Sequence, residues 1–348
     1  MAYICGMICS LCRFVVAAAV ALLAACSQSP GEGRVGHLPS SKGLPYEMVV
    51  IVPKAMYAGE LRDTLEAVLQ GSTPVLPQHE PLFRLNIVYA EGNLTPWRTF
   101  RHRLLIGVDR KRRKPMMGVA VDAVARPQLE VKVTAASAHE LAVFMGQQKE
   151  RLRDLFVESE LEVTAANLRR KPSAATSKAL VGLTRSMAAR GELSGSHDIC
   201  VPAGLKASKT GDGFLWTGTN LNDKDQNFLF YTYAWEGRSF SVARFVAARD
   251  SVLKEFIPGA RADQWMQTAR MEEPLVFART RAINNKVVLE VHGLWELHNG
   301  ALGGPFVALC RVDTLVRRVM VTEGFVYSPH SPKRNLMREM EAALRTFE

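Results

Sequence analysis

Residues 275–297 read LVFARTRAINNKVVLEVHGLWEL. Two strand-length runs, 275–282 and 286–297, flank Asn284-Asn285, and asparagine is among the few residues that accept the left-handed backbone of a tight turn. The stretch therefore predicts a β-hairpin. Downstream, 306–312 and 318–327 repeat the arrangement. Upstream, 198–201, 214–217 and 227–235 (NFLFYTYAW) are also strand-like, the last two rich in aromatics that suit a pleated surface. Strands that neighbour each other in sequence and come in pairs point to antiparallel pairing. Helices are expected at 241–257, where Pro258-Gly259 is the stop, and after Ser331-Pro332, read as an N-cap followed by proline at the first helical position.

The preceding half has strands at 46–52, 82–89, 103–108 and 128–134 and a helix at 60–69 with Leu61, Leu65, Val68 and Leu69 on one face. Residues 75–81 carry two prolines and read as extended. One long helix with the stripe Leu141, Met145, Leu152, Phe156 and Val163 follows, then a second ending at Gly191. The expected fold is α+β: largely antiparallel sheets with packed helices, in two similar-sized halves, 44–195 and 196–348, joined by long central helices. Both halves run strands, helix, strands, which leaves a structural duplication open, although no residue-level repeat supports it.

The chain has 348 residues, 47% hydrophobic and 22% charged, with a net charge of +10. That composition excludes disordered, collagen-like and mainly membrane-embedded classes. Arg13 precedes the apolar run FVVAAAVALL, too short to span a bilayer, for which about 20 residues are needed. It reads as an export signal over residues 1–25. Leu23, Ala24 and Ala25 before Cys26 form a lipobox: small residues suit a narrow peptidase groove, and the Cys26 thiol accepts a diacylglycerol. Two or three acyl chains give durable anchoring at about 0.8 kcal/mol per buried CH₂. Residues 26–43, rich in Ser, Gly and Pro, are expected to be a flexible tether. Ser27 is not the acidic residue of inner-membrane retention, so the outer membrane is expected, its periplasmic face favoured and its surface face left open. Of six cysteines, only Cys200 and Cys310 follow Cys26; both sit in apolar runs and are expected as separate buried thiols, a single disulfide being the alternative.

The segments LPSSKGLPYEMVVIV, VLPQHEPLF, ARPQLEVKVTA, ARDSVLKEFIPGA, HGLWELHNGALGGPFVAL and EGFVYSPHSPKRNLMREMEA occur in this order from Leu38 onward. Together they resemble an uncharacterised lipoprotein family of the Bacteroides group, domain of unknown function 4837, with Leu302 where methionine would be expected. The resemblance implies a lipidated envelope protein and brings no activity, substrate or catalytic residue.

Among chemistry-bearing residues, His292, Glu296 and His298 share one strand face, but the two histidines would stand about 20 Å apart at ~3.3 Å per residue, too far for one metal ion. Gly300, Gly303, Gly304 and Pro305 read as a turning loop. Residues 204–213 lack the glycine a P-loop requires. His79-Glu80, His139-Glu140, Ser194 and His197-Asp198 match no catalytic spacing. Arg110, Lys111, Arg112, Arg113 and Lys114 read as a basic hairpin tip, either simply solvated or able to contact anionic lipid or glycan phosphates; the export signal argues against nucleic acid. Trp97, Trp216, Trp235, Trp265 and Trp295 are candidates for sugar stacking or for core. No cofactor or metal is expected. The reading is a lipid-anchored binding or support module, with other envelope proteins as further partners. An envelope hydrolase built from dispersed residues and a glycan binder are the alternatives.

Overall fold

Glu47–Val52 (β1) holds five successive buried apolar residues, the composition of a strand covered on both faces. In the computed structural model, which describes residues 38–237, 239–270 and 276–348, it lies inside a five-stranded sheet. The other strands are Arg84–Tyr89 (β2), His102–Val108 (β3), Met116–Val121 (β4) and Leu129–Ala135 (β5), ordered β2-β1-β3-β5-β4. β1, β2, β3 and β5 run parallel, and only β4 is antiparallel, paired to β5. The helix Gly59–Leu69 (α1) provides the β1–β2 crossover that parallel strands need.

The second sheet is antiparallel throughout. It contains Ala207–Gly211 (β6), Phe214–Gly218 (β7), Asp225–Ala234 (β8), Val276–Ile283 (β10), Lys286–Leu297 (β11), Gly303–Asp313 (β12) and Arg318–Tyr327 (β13), with the short Met266–Thr268 (β9) on β11. Asn284 and Asn285 take φ of 50° and 59°, as the β10–β11 turn demands. The α+β architecture is as read, among the described residues, with six α-helices and thirteen strands. The differing strand directions of the two sheets speak against a duplication.

Both faces of the large sheet are buried. Phe228 and Phe230 of β8, with Val307 and Leu309 of β12, join a core shared with β1, β3, β5 and the central helices Ala138–Gln147 (α2), Lys149–Arg170 (α3) and Ala174–Ala189 (α4). Leu229, Tyr231, Phe306, Ala308 and Cys310 point the other way, onto Phe245 and Leu253 of Val242–Phe256 (α5). The alternation follows from the strand period of two. The C-terminal helix Arg334–Leu344 (α6) contributes Met337, Met340 and Leu344 to the shared core.

Several local expectations are corrected. The single long helix is two, interrupted at Gln148, whose φ of −96° and ψ of 15° end α2 and start α3. The basic run 110–114 is no hairpin tip: β4 pairs with β5 and not β3, so the connection crosses the end of β5, where the Asp109 amide donates to Ala135 O at 2.9 Å. Residues 198–201 join no sheet; Asp198 and Glu348 exchange backbone hydrogen bonds of 3.1 Å. The start of α6 is not capped by Ser331. Its first amides, on Lys333 and Arg334, donate to the Glu80 carboxylate at 2.7 and 2.9 Å, an anion at a helix N-terminus worth about 1 kcal/mol. Residues 39–42, expected in the tether, are bonded to the body: Ser41 N–H to Arg126 O at 3.1 Å, Lys42 N–H to Thr99 O at 2.8 Å. Cys200 and Cys310 are free thiols, half-buried and buried. Leu23, Ala24, Ala25, Cys26 and residues 27–37 lie outside the described residues.

Candidate functional site

The β10–β11 hairpin turn sets the register Arg279↔Glu290, and one strand face then collects Arg279, Arg281, Glu290 and His292. Opposite this face, α6 presents Arg338, Glu341 and Arg345 at helical spacing, and α3 presents Glu158. The result is a half-buried ionic network. Glu290 Oε1 accepts from Arg279 Nε at 2.8 Å and lies 3.0 Å from His292 Nε2, and its Oε2 accepts from Arg281 at 3.3 Å. Glu158 accepts from Arg281 at 2.6 Å and also from Arg345. Glu341 accepts from Arg338 at 2.6 Å and from Arg345 at 3.2 Å.

Burial alone would push all three carboxyls upward. For Glu290, the His292 hydrogen bond and the charges of His292, Arg279 and Arg281 outweigh it and hold the group well below the ordinary carboxylate range. Glu158 is held low against burial by Arg345 and Arg281, and Glu341 by Arg338 with help from His292 and Arg345.

Ligand atoms of Glu290, His292 and Glu341 lie within 4.8 Å of one another, a donor set a divalent cation accepts. The arginines argue otherwise. Each carboxylate is already neutralised, and a guanidinium 4 Å from a unit positive charge opposes it by about 4 kcal/mol at the effective dielectric of such sites. The chemistry of the cluster is that of an ion-pair network.

Beside the network opens a cleft of about 140 Å³. One wall is the loop 72–76 with Leu82. α3 adds Glu150, Arg153, Asp154 and Val157. The large sheet and α6 add Phe277, Arg279, His292, Pro305, Val307, Met337, Arg338 and Glu341. Phe277 is 48% exposed, an uncovered ring beside the charged groups of the cleft. Each cation on the wall has an anionic neighbour: Arg153 with Glu150 at 3.2 Å, Arg279 with Glu290 at 2.8 Å, Arg338 with Glu341 at 2.6 Å. The wall thus presents alternating charge and little net field, which suits a neutral or zwitterionic occupant with an apolar part better than a polyanion. At its rim, Ser72 Oγ meets His79 Nδ1 across the loop.

Of the strand trio, His292 joins the network, whereas Glu296 accepts from Gln267 at 2.8 Å and His298 stacks on Trp265 with centroids 4.0 Å apart. The three do not converge. Gly303 and Gly304 are no loop but begin β12, and a Cβ at Gly304 would stand 2.1 Å from Val326 O, so glycine is needed there for close strand approach. His139 meets exposed Glu60 at 2.8 Å, the Ser194 amide donates to Asp313 at 2.7 Å, and His197 Nδ1 contacts Glu348 O at 3.1 Å; none faces the cleft. All five tryptophans are buried or half-buried. The Trp265 ring is already engaged by His298 and by Lys254 Nζ at 4.3 Å, which counts against a row of sugar-stacking rings. The basic run 110–114 belongs to the smaller sheet and lines no part of the cleft.

The residues that matter most, Glu158, Arg279, Arg281, Glu290, Arg338, Glu341 and Arg345, carry no motif. Their signal was periodicity: Glu290 shares a strand face with His292, and Arg338, Glu341 and Arg345 share a helix face.

Residues 192–346 match the family described as a domain of unknown function, DUF4837, and residues 41–169 match a second domain of unknown function, DUF8532. The segment resemblance therefore divides between two families. Each supplies part of the cleft, the first match holding the large sheet and α6, the second the loop 72–76 and nearly all of α3. No curated protein matches the chain.

Proposed function

We propose that this chain, whose residues 192–346 form a DUF4837 domain, is a lipid-anchored binding module of the outer membrane, held through Cys26 and facing the periplasm. Its cleft takes a small zwitterionic, partly apolar molecule such as a short peptide. The observation that carries the binding reading is the cleft itself: an exposed ring, Phe277, set among paired charges, with walls drawn from both family-matched stretches. The lipobox Leu23-Ala24-Ala25-Cys26 and the Ser/Gly/Pro-rich stretch after it support the anchor. No helix among the described residues is long and apolar enough to cross a membrane.

Cys26→Ser should move the protein from the membrane pellet to the soluble fraction of its own host, and intact-mass analysis should lose the mass of the acyl chains. A mutant still in the pellet would remove the anchor. Native mass spectrometry of protein purified from host membranes should show a bound small molecule whose occupancy falls about tenfold in Phe277→Ala, since a well-placed aromatic contact is worth about 1.4 kcal/mol. Equal occupancy in both proteins would place the ligand elsewhere.

An envelope hydrolase is the second reading, favoured by the Ser72–His79 contact at the rim. A fluorophosphonate that labels the wild type and not Ser72→Ala would replace binding by catalysis.

A further inference from the structure

The smaller sheet ends in an unblocked edge. β4 (MMGVAV) is the last strand in the order β2-β1-β3-β5-β4, and it carries neither the charges nor the proline that usually blunt such an edge. Met116, Val119 and Val121 are 46, 46 and 70% exposed. The Asp122 amide donates to Gln128 O at 2.8 Å, on the β5 side. Strand alternation then turns the amides and carbonyls of Ala120 and Gly118 toward β5 and those of Met117, Val119 and Val121 outward. No described strand lies beyond them. Val119 and Val121 also wall a groove of about 570 Å³ with Leu129 and with Leu155 of α3.

At the N-terminal end of β4 stands the basic turn. Of its five cations, Arg112 alone among the described residues approaches a carboxylate, Asp109 at 3.8 Å; Arg110, Lys111, Arg113 and Lys114 are exposed. The chain enters the body at the opposite end of the strand, where Pro39 O accepts from the Arg126 amide at 2.9 Å. The cations therefore do not flank the root of the tether. A lipid surface would meet the cations and leave the row of backbone groups without partners. An extended peptide satisfies both.

We propose that β4 is a docking edge for an extended segment of a partner protein that is acidic toward its C-terminal end. The segment adds as a sixth strand antiparallel to β4. Its apolar side chains cover Val119 and Val121, and its acidic residues meet the turn 110–114. Backbone hydrogen bonds supply affinity, and charge sets the direction.

The probe is a fluorescent peptide, KVTVTVEE, titrated into the full chain by anisotropy, with hydrogen exchange read over residues 116–121. The expected result is saturable binding that slows exchange at Met117, Val119 and Val121. Affinity should weaken about tenfold on raising salt from 50 to 200 mM, and by a similar factor in the double variant Arg113→Glu, Lys114→Glu. Val119→Pro removes an outward N–H that no ladder uses, so its melting temperature should stay near wild type while binding is lost; should that variant unfold, Val119→Lys serves the same purpose. Four results would overturn the proposal: no binding; binding that leaves β4 exchange unchanged or survives both Val119 variants; β4 protection that grows with protein concentration, which would assign the edge to a second copy; and protection already complete in the dilute chain, which would assign it to residues 1–37.

Discussion

Arg249→Met should lower the free energy of unfolding by about 3–5 kcal/mol, the cost of stranding one charge of a buried pair. Arg249 and Glu323 have fully buried side chains. The guanidinium of α5 reaches the β13 carboxylate twice, Nε at 2.9 Å and Nη2 at 2.7 Å, and donates a third bond to Thr268 Oγ1 at 3.0 Å. It also lies 3.9 Å over the Phe306 ring. Burial already pushes Glu323 upward, with Arg249 pulling the other way. Without the arginine the carboxyl should hold its proton in the folded state. A raised folded pKa contributes stability at acidic pH that is lost as pH climbs from the unfolded value, near 4.3, through the folded one. Urea unfolding of Arg249→Met should therefore show the deficit growing from pH 4 to pH 7. The double variant Arg249→Met, Glu323→Leu should recover most of the loss, because two apolar side chains replace the pair without an orphaned charge. A double variant as unstable as the single one would mean that packing volume, and not charge pairing, holds α5 to the sheet.

Glu290→Ala should cost a similar amount, about 3–5 kcal/mol, since Arg279, Arg281 and His292 would lose their shared acceptor. Here the pH dependence has the opposite sign. The folded-state pKa values of Glu290, Glu158 and Glu341 all lie below the ordinary one. Their stabilisation is complete above about pH 4.5 and disappears as pH falls through the depressed values. Wild-type stability should thus drop steeply below pH 4.5, at up to about 1.4 kcal/mol per pH unit for each group. Glu290→Ala should show a shallower acid limb and a lower plateau near neutral pH. Parallel profiles for mutant and wild type would show that folding leaves the Glu290 pKa unchanged.

How much of this was legible depended on the range of the interaction. The β10–β11 hairpin was readable because Asn284-Asn285 fixes its turn, and the turn fixes Arg279 opposite Glu290; the pairing was there to be counted. The parallel order of β1, β2, β3 and β5 was not, because adjacency across a crossover is decided by packing and leaves no local mark. Strand β6, ASKTG, has no apolar alternation because it is an exposed edge. The break at Gln148 was hidden by an apolar stripe that continues across it. Glu80 looked like half of a failed zinc motif, and its partners, the amides of Lys333 and Arg334, are some 250 residues away in sequence. The cleft needs walls from both family-matched stretches, and no single segment announces it. The basic run was obvious as composition, while its neighbour, the bare edge of β4, required the strand order.

The large sheet is a middle layer, greased on both sides. A fragment cut where the DUF4837 match begins would keep α5 on one side and only α6 over Phe228, Phe230, Val307 and Leu309 on the other, with the start of that helix short of an anion. Such a piece has only half its insulation. The two family signatures therefore delimit stretches of resemblance, while the unit that must be made, moved and degraded intact is the pair.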